Sequence, residues 1–196
     1  MGQRKPRLIL ASSSPRRREL LSAAGFVLDV VPADIDETPR PGENPRDLVV
    51  RLALEKAAKT AATHGSNDVI VVAADTAVVL DDVAYSKPID DDDARGMLRR
   101  LSGRTHQVLT GWCVRQGDEV DSGVVETAVT FRPLADHEID RWLETGEHRD
   151  KAGAYAIQGG AIVFVASVDG CLSNVIGLPV DTVVTAVRRL LAGQGL

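Results

Sequence analysis

Leu8-Ile9-Leu10-Ala11-Ser12-Ser13-Ser14-Pro15-Arg16-Arg17-Arg18-Glu19-Leu20-Leu21 is the stretch on which the fold turns. An apolar run gives out at three hydroxyls, a proline follows, and three arginines lead into Leu20, Leu21 and Ala24. That order spells a buried strand feeding a helix through a turn. Ser14 is placed to cap the helix, Pro15 suits its first position, and the leucines form its apolar face. Free backbone N–H groups at such a helix start, with serine hydroxyls and guanidinium forks, suit a phosphate. The same residues also serve as an ordinary cap followed by a solvated helix face, and the stretch alone leaves both readings standing.

Further along, Gly25 stops the helix, Phe26 to Val31 reads as a second strand, and Pro32 to Glu43 is a long acidic, proline-rich loop. Asn44-Pro45 opens a helix whose buried stripe is Leu48, Val49, Leu52 and Ala53. Asp68 to Ala74 has the β-branched run of a strand covered on both faces, and it is expected to end at Asp75-Thr76. Ala77 to Leu80, Asp81-Asp82 and Val83-Ala84-Tyr85 read as a hairpin. A helix carrying Met97, Leu98 and Leu101 ends at Ser102-Gly103, and strands His106 to Val114 and Val124 to Arg132 join near Gly117-Asp118. Val125, Thr127, Val129 and Phe131 share one face of the second. Ile139, Trp142 and Leu143 mark a helix closed by Gly146, Tyr155 to Gly160 is a loop, Ala161 to Val168 a strand, and Val180 to Leu191 a last helix. Hairpins and crossover helices are interspersed, which predicts a single α/β domain over 1–196 with a mixed sheet.

The composition, 44% hydrophobic and 26% charged, is that of an ordinary globular chain. A net charge of -5 argues against nucleic acid or a membrane surface as the main partner, both of which call for a broad positive field. No stretch approaches the roughly 20 apolar residues of a membrane span, and no signal-peptide core precedes the first strand, so a cytoplasmic location is expected. Cys113 and Cys171 have no spacing of a zinc or redox motif.

Asp75 is the strongest candidate for chemistry, a carboxylate at the mouth of an apolar strand, where α/β proteins place ligands; a turn-starting role is the plainer alternative. Asp36 and Glu37 offer further carboxylates, and with Asp75 they suit a hard divalent cation that also bridges substrate phosphates. Lys56 continues the row of Leu48 and Leu52 at four-residue spacing and so leaves the buried face of its helix. Lys87 is fixed by Pro88 just after the hairpin. Gln158, held by glycines behind an aromatic, either reads a base edge or ties up loop backbone. Asp90 to Asp93 looks like a metal cluster, yet carboxylates at a helix N-terminus account for it. Among His64, His106, His137 and His148 there is no ligand spacing, and Walker, dinucleotide and nucleophile-elbow motifs are all absent.

Taken together, Ala11 to Leu21, Asp36-Glu37-Thr38, Arg51 to Ala57, Ala74-Asp75-Thr76, Lys87-Pro88, Met97 to Gly103, Asp150 to Gly159 and Val175 to Pro179 resemble the Maf family of nucleoside triphosphate pyrophosphatases. The resemblance implies an elongated two-lobed mixed β-sheet with flanking helices, of the inosine triphosphatase type, often as a homodimer, with a nucleoside triphosphate in the cleft. It implies cleavage between the α- and β-phosphates with a divalent metal, Mg²⁺ or Mn²⁺. Asp75 would be the general base, Asp75 and Glu37 the metal ligands, and Ser12, Arg16, Lys56 and Lys87 the phosphate clamp. Arg16, Thr76 and Gln158 match the branch that takes dTTP, UTP and modified pyrimidine nucleotides; the 7-methyl-GTP branch carries tryptophan and glutamate at the first and third positions, which suit a cationic base. Ser86 stands where glycine is common, Asp36-Glu37-Thr38-Pro39-Arg40 has counterparts in the 7-methyl-GTP branch, and Cys171 to Asn174 replaces the usual tyrosine-containing segment, so 7-methyl-GTP is the alternative substrate. A nucleotide-binding regulator of cell division is the alternative from another class.

Overall fold

A computed structural model describes residues 7–64, 66 and 68–193, so the ends of the expected 1–196 domain lie outside the described residues. The opening strand and helix are β1 (Arg7–Leu10) and α1 (Pro15–Ala23). Ser14 stands at the cap position, but its side chain makes no capping bond. Its own N–H donates to the Ser12 hydroxyl at 3.2 Å, so the side chain that closes the turn is two residues before the expected cap.

β1 lies between β2 (Leu28–Val30) and β3 (Val69–Leu80) and runs parallel to both. From β3 onward the sheet is antiparallel: β4 (Val83–Tyr85) folds back on β3, while β5 (Thr105–Gln116), β6 (Glu119–Phe131) and β7 (Val165–Asp169) complete the order β2-β1-β3-β5-β6-β7. The Asp81-Asp82 turn has φ of 52° and 61°, the left-handed pair that a tight hairpin requires.

Several strand ends differ from the sequence expectation, β2 starting at Leu28 instead of Phe26 and β6 at Glu119 instead of Val124 among them, and two of the differences bear on the cleft. β3 does not end at Asp75-Thr76; it continues to Leu80, because β5 backs it throughout, Asp75 opposite Gly111 and Thr76 opposite Thr110. What ends there is its other neighbour, β1, whose last partner is Val72. A notch opens beside β3, and polar side chains are tolerated mid-strand. The expected strand from Ala161 begins instead as a 3₁₀ turn, Gly160–Phe164, before β7. Ala161 and Phe164 are buried while Ile162 and Val163 are exposed, a spacing of three that suits a 3₁₀ turn and not a pleat.

Alternate residues of the sheet feed opposite cores. Ile9, Val71, Ala73 and Cys113 pack under Ala53 and Ala57 of α2 (Pro45–His64). Leu10, Val72, Ala74 and Trp112 pack with Leu21 of α1 and Val183 and Val187 of the last helix, Val180–Gly193. Beyond the notch, Val78, Val108, Val129 and Phe131 pack with Met97 and Leu98 of α3 (Asp91–Leu101) and Trp142 of α4 (Asp136–Glu144). The Asp90 carboxylate caps α3 by accepting from Asp93 N–H at 2.7 Å, so the aspartate run is structural. A short α5 (Leu172–Ile176), unforeseen in the sequence, precedes the last helix, α6. The backbone of α2 lies so close to β5 that a Cβ on Gly111 would sit 2.1 Å from the Val49 carbonyl oxygen. Only glycine permits that approach, and it sets the height of α2 above the sheet.

Candidate active site

A cleft of about 560 Å³ opens at the notch, and Ser12, Arg16, Glu37, Lys56, Asp75, Thr76, Lys87 and Gln158 all line it. Its floor is built by strand alternation. Asp75 has the parity of Val71 and Ala73 and points to the α2 side; Thr76 has the parity of Val72 and Ala74 and points to the α1 side. Two adjacent residues thereby serve two halves of one site.

On the α2 side, Lys56 is 6% exposed, and its ammonium donates to Asp75 Oδ1 at 2.6 Å and meets Glu37 Oε1 at 2.7 Å. Burying an ammonium costs several kcal/mol unless it is paired, and here two carboxylates pair it. Partial burial works to raise the Glu37 pKa, but the hydrogen bond and charge of Lys56, with Lys87 and Arg17 beyond, outweigh it and hold the carboxyl below its ordinary value. Glu37 itself rides on the exposed loop after β2, its side chain 52% exposed.

On the α1 side the structure singles out Arg17, which the sequence reading had passed over in favour of Arg16. Arg17 Nε donates to the Gly177 carbonyl at 2.8 Å, Nη1 to Ser12 Oγ at 3.1 Å and Nη2 to Thr76 Oγ1 at 3.1 Å. Burial pulls its pKa down and the charge of Asp75 pushes back; a guanidinium remains protonated regardless. The signal was in the helical period: Arg17 lies one turn before Leu21, which is fully buried, whereas Arg16 lies one turn before the half-buried Leu20. Thr76 also shares a hydrogen bond of 3.0 Å with Thr110, which donates to the Asn174 carbonyl at 3.2 Å. Thr110 and Asn174 are fully buried, and α5 exists to carry this link.

The far wall is the loop bearing Gln158. Trp142 Nε1 donates to the Ala154 carbonyl at 2.8 Å, and the Tyr155 hydroxyl is bonded to His106 Nε2 at 2.7 Å. Gly153, at φ 67°, passes 3.0 Å from the Val78 side chain, measured from where a Cβ would stand. These ties leave Gln158 exposed on the cleft, which Asp150 and Lys151 also line. Lys87 projects from the segment after β4 and is exposed.

The residues fit a divalent cation. Asp75 and Glu37 each give Lys56 one oxygen, so each keeps a second for a metal. No group of three or more His, Cys, Asp or Glu is arranged as a ligand set among the described residues. The fit rests on the two carboxylates, since an ion such as Mg²⁺ commonly takes one or two from a protein, with water and substrate phosphate completing its shell.

Residues 7–190 match the family described as Maf-like protein. The chain belongs to the Maf family. Among its relatives, a dTTP/UTP pyrophosphatase of Anaeromyxobacter dehalogenans (strain 2CP-C) is 55% identical over 189 residues, 94% of each chain. Another of that name, from Geobacter sulfurreducens, is 50% identical over 95% of this chain and 97% of its own. A third, from Shewanella oneidensis, is 45% identical over 96% and 98%. In this Maf protein the Ser12 to Arg17 turn, Asp75-Thr76 and the loop residues Tyr155 to Gln158, distant in sequence, all border one cleft.

Proposed function

We propose that this Maf protein hydrolyses dTTP and UTP to the nucleoside monophosphate and pyrophosphate. The observation that carries this reading is the pairing of Asp75 and Glu37 on the buried Lys56 ammonium, on the floor of a cleft that also holds Arg17, Arg16 and Lys87. The relatives named for this activity support the substrate.

Asp75 takes a proton from the water that attacks the α-phosphorus. The bond from that phosphorus to the bridging oxygen breaks, and pyrophosphate leaves with the oxygen. Lys56, Lys87, Ser12 and Arg16 hold the triphosphate, with Arg17 added to that set by its position, and they stabilise the charge that grows on the phosphoryl oxygens. Asp75 and Glu37 would hold Mg²⁺ or Mn²⁺, which would supply further neutralisation of that charge. Thr76 and Gln158 line the part of the cleft that reads the base, with Arg16 at its border. A uracil edge offers two acceptors and a donor, which an amide matches. No helix among the described residues is long and apolar enough to cross a membrane, and the reading places the enzyme in the cytoplasm as a homodimer.

The test is release of pyrophosphate from UTP and dTTP with Mg²⁺ or Mn²⁺, with 7-methyl-GTP as the competing substrate. Asp75→Asn is expected to lower kcat by about 10³-fold while the circular dichroism spectrum is retained. Release of orthophosphate, or an Asp75→Asn variant as active as the native chain, overturns the reading.

A further inference from the structure

Glu37 stands at the centre of that chemistry, yet Asp36 to Gly42 are all exposed, so apolar burial does not hold the segment in place. Charged contacts with α2 hold it: Arg40 Nη2 donates to Glu55 Oε1 at 2.9 Å, Glu37 meets Lys56, and one sheltered guanidinium grips the segment at two points. Arg51, a turn and a half before Lys56 on α2, donates from Nε to Glu43 Oε1 at 2.6 Å and from Nη2 to Glu43 Oε2 at 2.7 Å. The same Nη2 donates to the Thr38 carbonyl at 3.1 Å, next to Glu37, and Nη1 donates to Glu55 at 3.2 Å. The pair is sheltered: the Arg51 side chain is 12% exposed and that of Glu43 9%. Three of the five guanidinium N–H groups therefore fasten the loop and its far end to the helix that carries Lys56, and a fourth is held by Glu55 of that same helix.

We infer that Arg51 is a positioning residue: it latches the 36–43 loop to α2 and so sets Glu37 against Lys56 and Asp75, where a divalent cation and the triphosphate meet. The inference rests on the proposed nucleotide chemistry for its consequence, but the latch itself is a property of the free chain. Arg51 touches neither substrate nor metal and acts through Glu37. A lysine in its place keeps the charge and loses the fork, so it cannot reproduce the bidentate hold on Glu43 while reaching the Thr38 carbonyl.

The experiment compares the native full-length chain with Arg51→Met, Arg51→Lys, Glu43→Gln, Glu37→Gln and the Arg51→Met/Glu37→Gln double variant. Amide hydrogen exchange is read with no metal or nucleotide. Arg51→Met and Glu43→Gln are expected to speed exchange across 36–43 and leave the β3 and β5 amides unchanged. The Mn²⁺ concentration for half-maximal pyrophosphate release from UTP is expected to rise about 10-fold in Arg51→Met, in line with the loss of an outer-shell partner, and less in Arg51→Lys. On the Glu37→Gln background, Arg51→Met adds less than about 2-fold, because the residue it acts through is already gone. Unchanged loop exchange, or effects of Arg51→Met and Glu37→Gln that multiply, overturns the inference. Should the native chain release no pyrophosphate, the functional proposal falls while the exchange arm still decides the latch.

Discussion

Lys56 and His106 are both nitrogen bases carried into the interior, 6% and 2% exposed, and the fold treats them in opposite ways. Lys56 sits between two carboxylates and opens onto a cleft. His106 sits in a buried aromatic nest, its ring 4.9 Å from that of Phe131 and 5.4 Å from that of Tyr155 between centroids, both edge-on. Burial with no charged partner pushes the His106 pKa down to about 4 and the Tyr155 phenol up, so both stay neutral. The contrast separates two jobs. Charge is kept where a charged ligand arrives, and it is excluded where a loop must be held still, for the Tyr155 hydroxyl anchors the segment that ends in Gln158.

The largest break in this contrast comes from Lys56→Met. With the ammonium gone, Asp75 and Glu37 lose their shared counter-ion and the triphosphate loses a clamp, so kcat/KM for UTP is expected to fall by about 10³-fold. Near-native kinetics would reduce Lys56 to a counter-ion.

A smaller effect sharpens the cationic side. Arg17→Met leaves the Gly177 carbonyl, Ser12 and Thr76 without their shared donor, and a loss of about 10²-fold in kcat/KM is expected, against about 10-fold for Arg16→Met. The reverse order would show that Arg17 only packs the turn.

The smallest effect tests the neutral side. His106 has a folded pKa of about 4 against 6.5 for the free side chain, so the unfolded chain binds its proton more readily between those values. Stability from this site is fully present above pH 6.5 and is lost as pH falls toward 4. Urea unfolding at pH 7 and pH 5 is expected to show roughly 2 kcal/mol of loss from this source in the native chain, absent in His106→Gln. Equal pH dependence in the two proteins would mean that His106 is not held neutral.

Much of this was legible in the chain, and the places where it was not share a cause. The Asn44-Pro45 helix start is present, with the Asn44 carboxamide accepting from Asp47 N–H at 3.0 Å. The hairpin at Asp81-Asp82 and the placing of Lys56 on a buried helix face follow from periods and turn chemistry read over a few residues. Asp75 was found for a partly mistaken reason: polarity after an apolar run looked like the end of a strand, when it marks the end of the neighbouring strand. The 3₁₀ turn at Gly160–Phe164 was hidden because four apolar residues in a row have no period to read.

Local periodicity thus determined the α/β class, the order of most elements and the buried face that Lys56 would take, because those depend on neighbours a few positions away. Only the folded chain decided which residues face one another. Arg17 meets a carbonyl 160 positions distant, Lys56 gathers carboxylates from a loop before it and a strand after it, and Gly111 admits α2 close enough for that reach. Such meetings are fixed by packing distances between elements, to which a linear pattern of polar and apolar residues carries no measure.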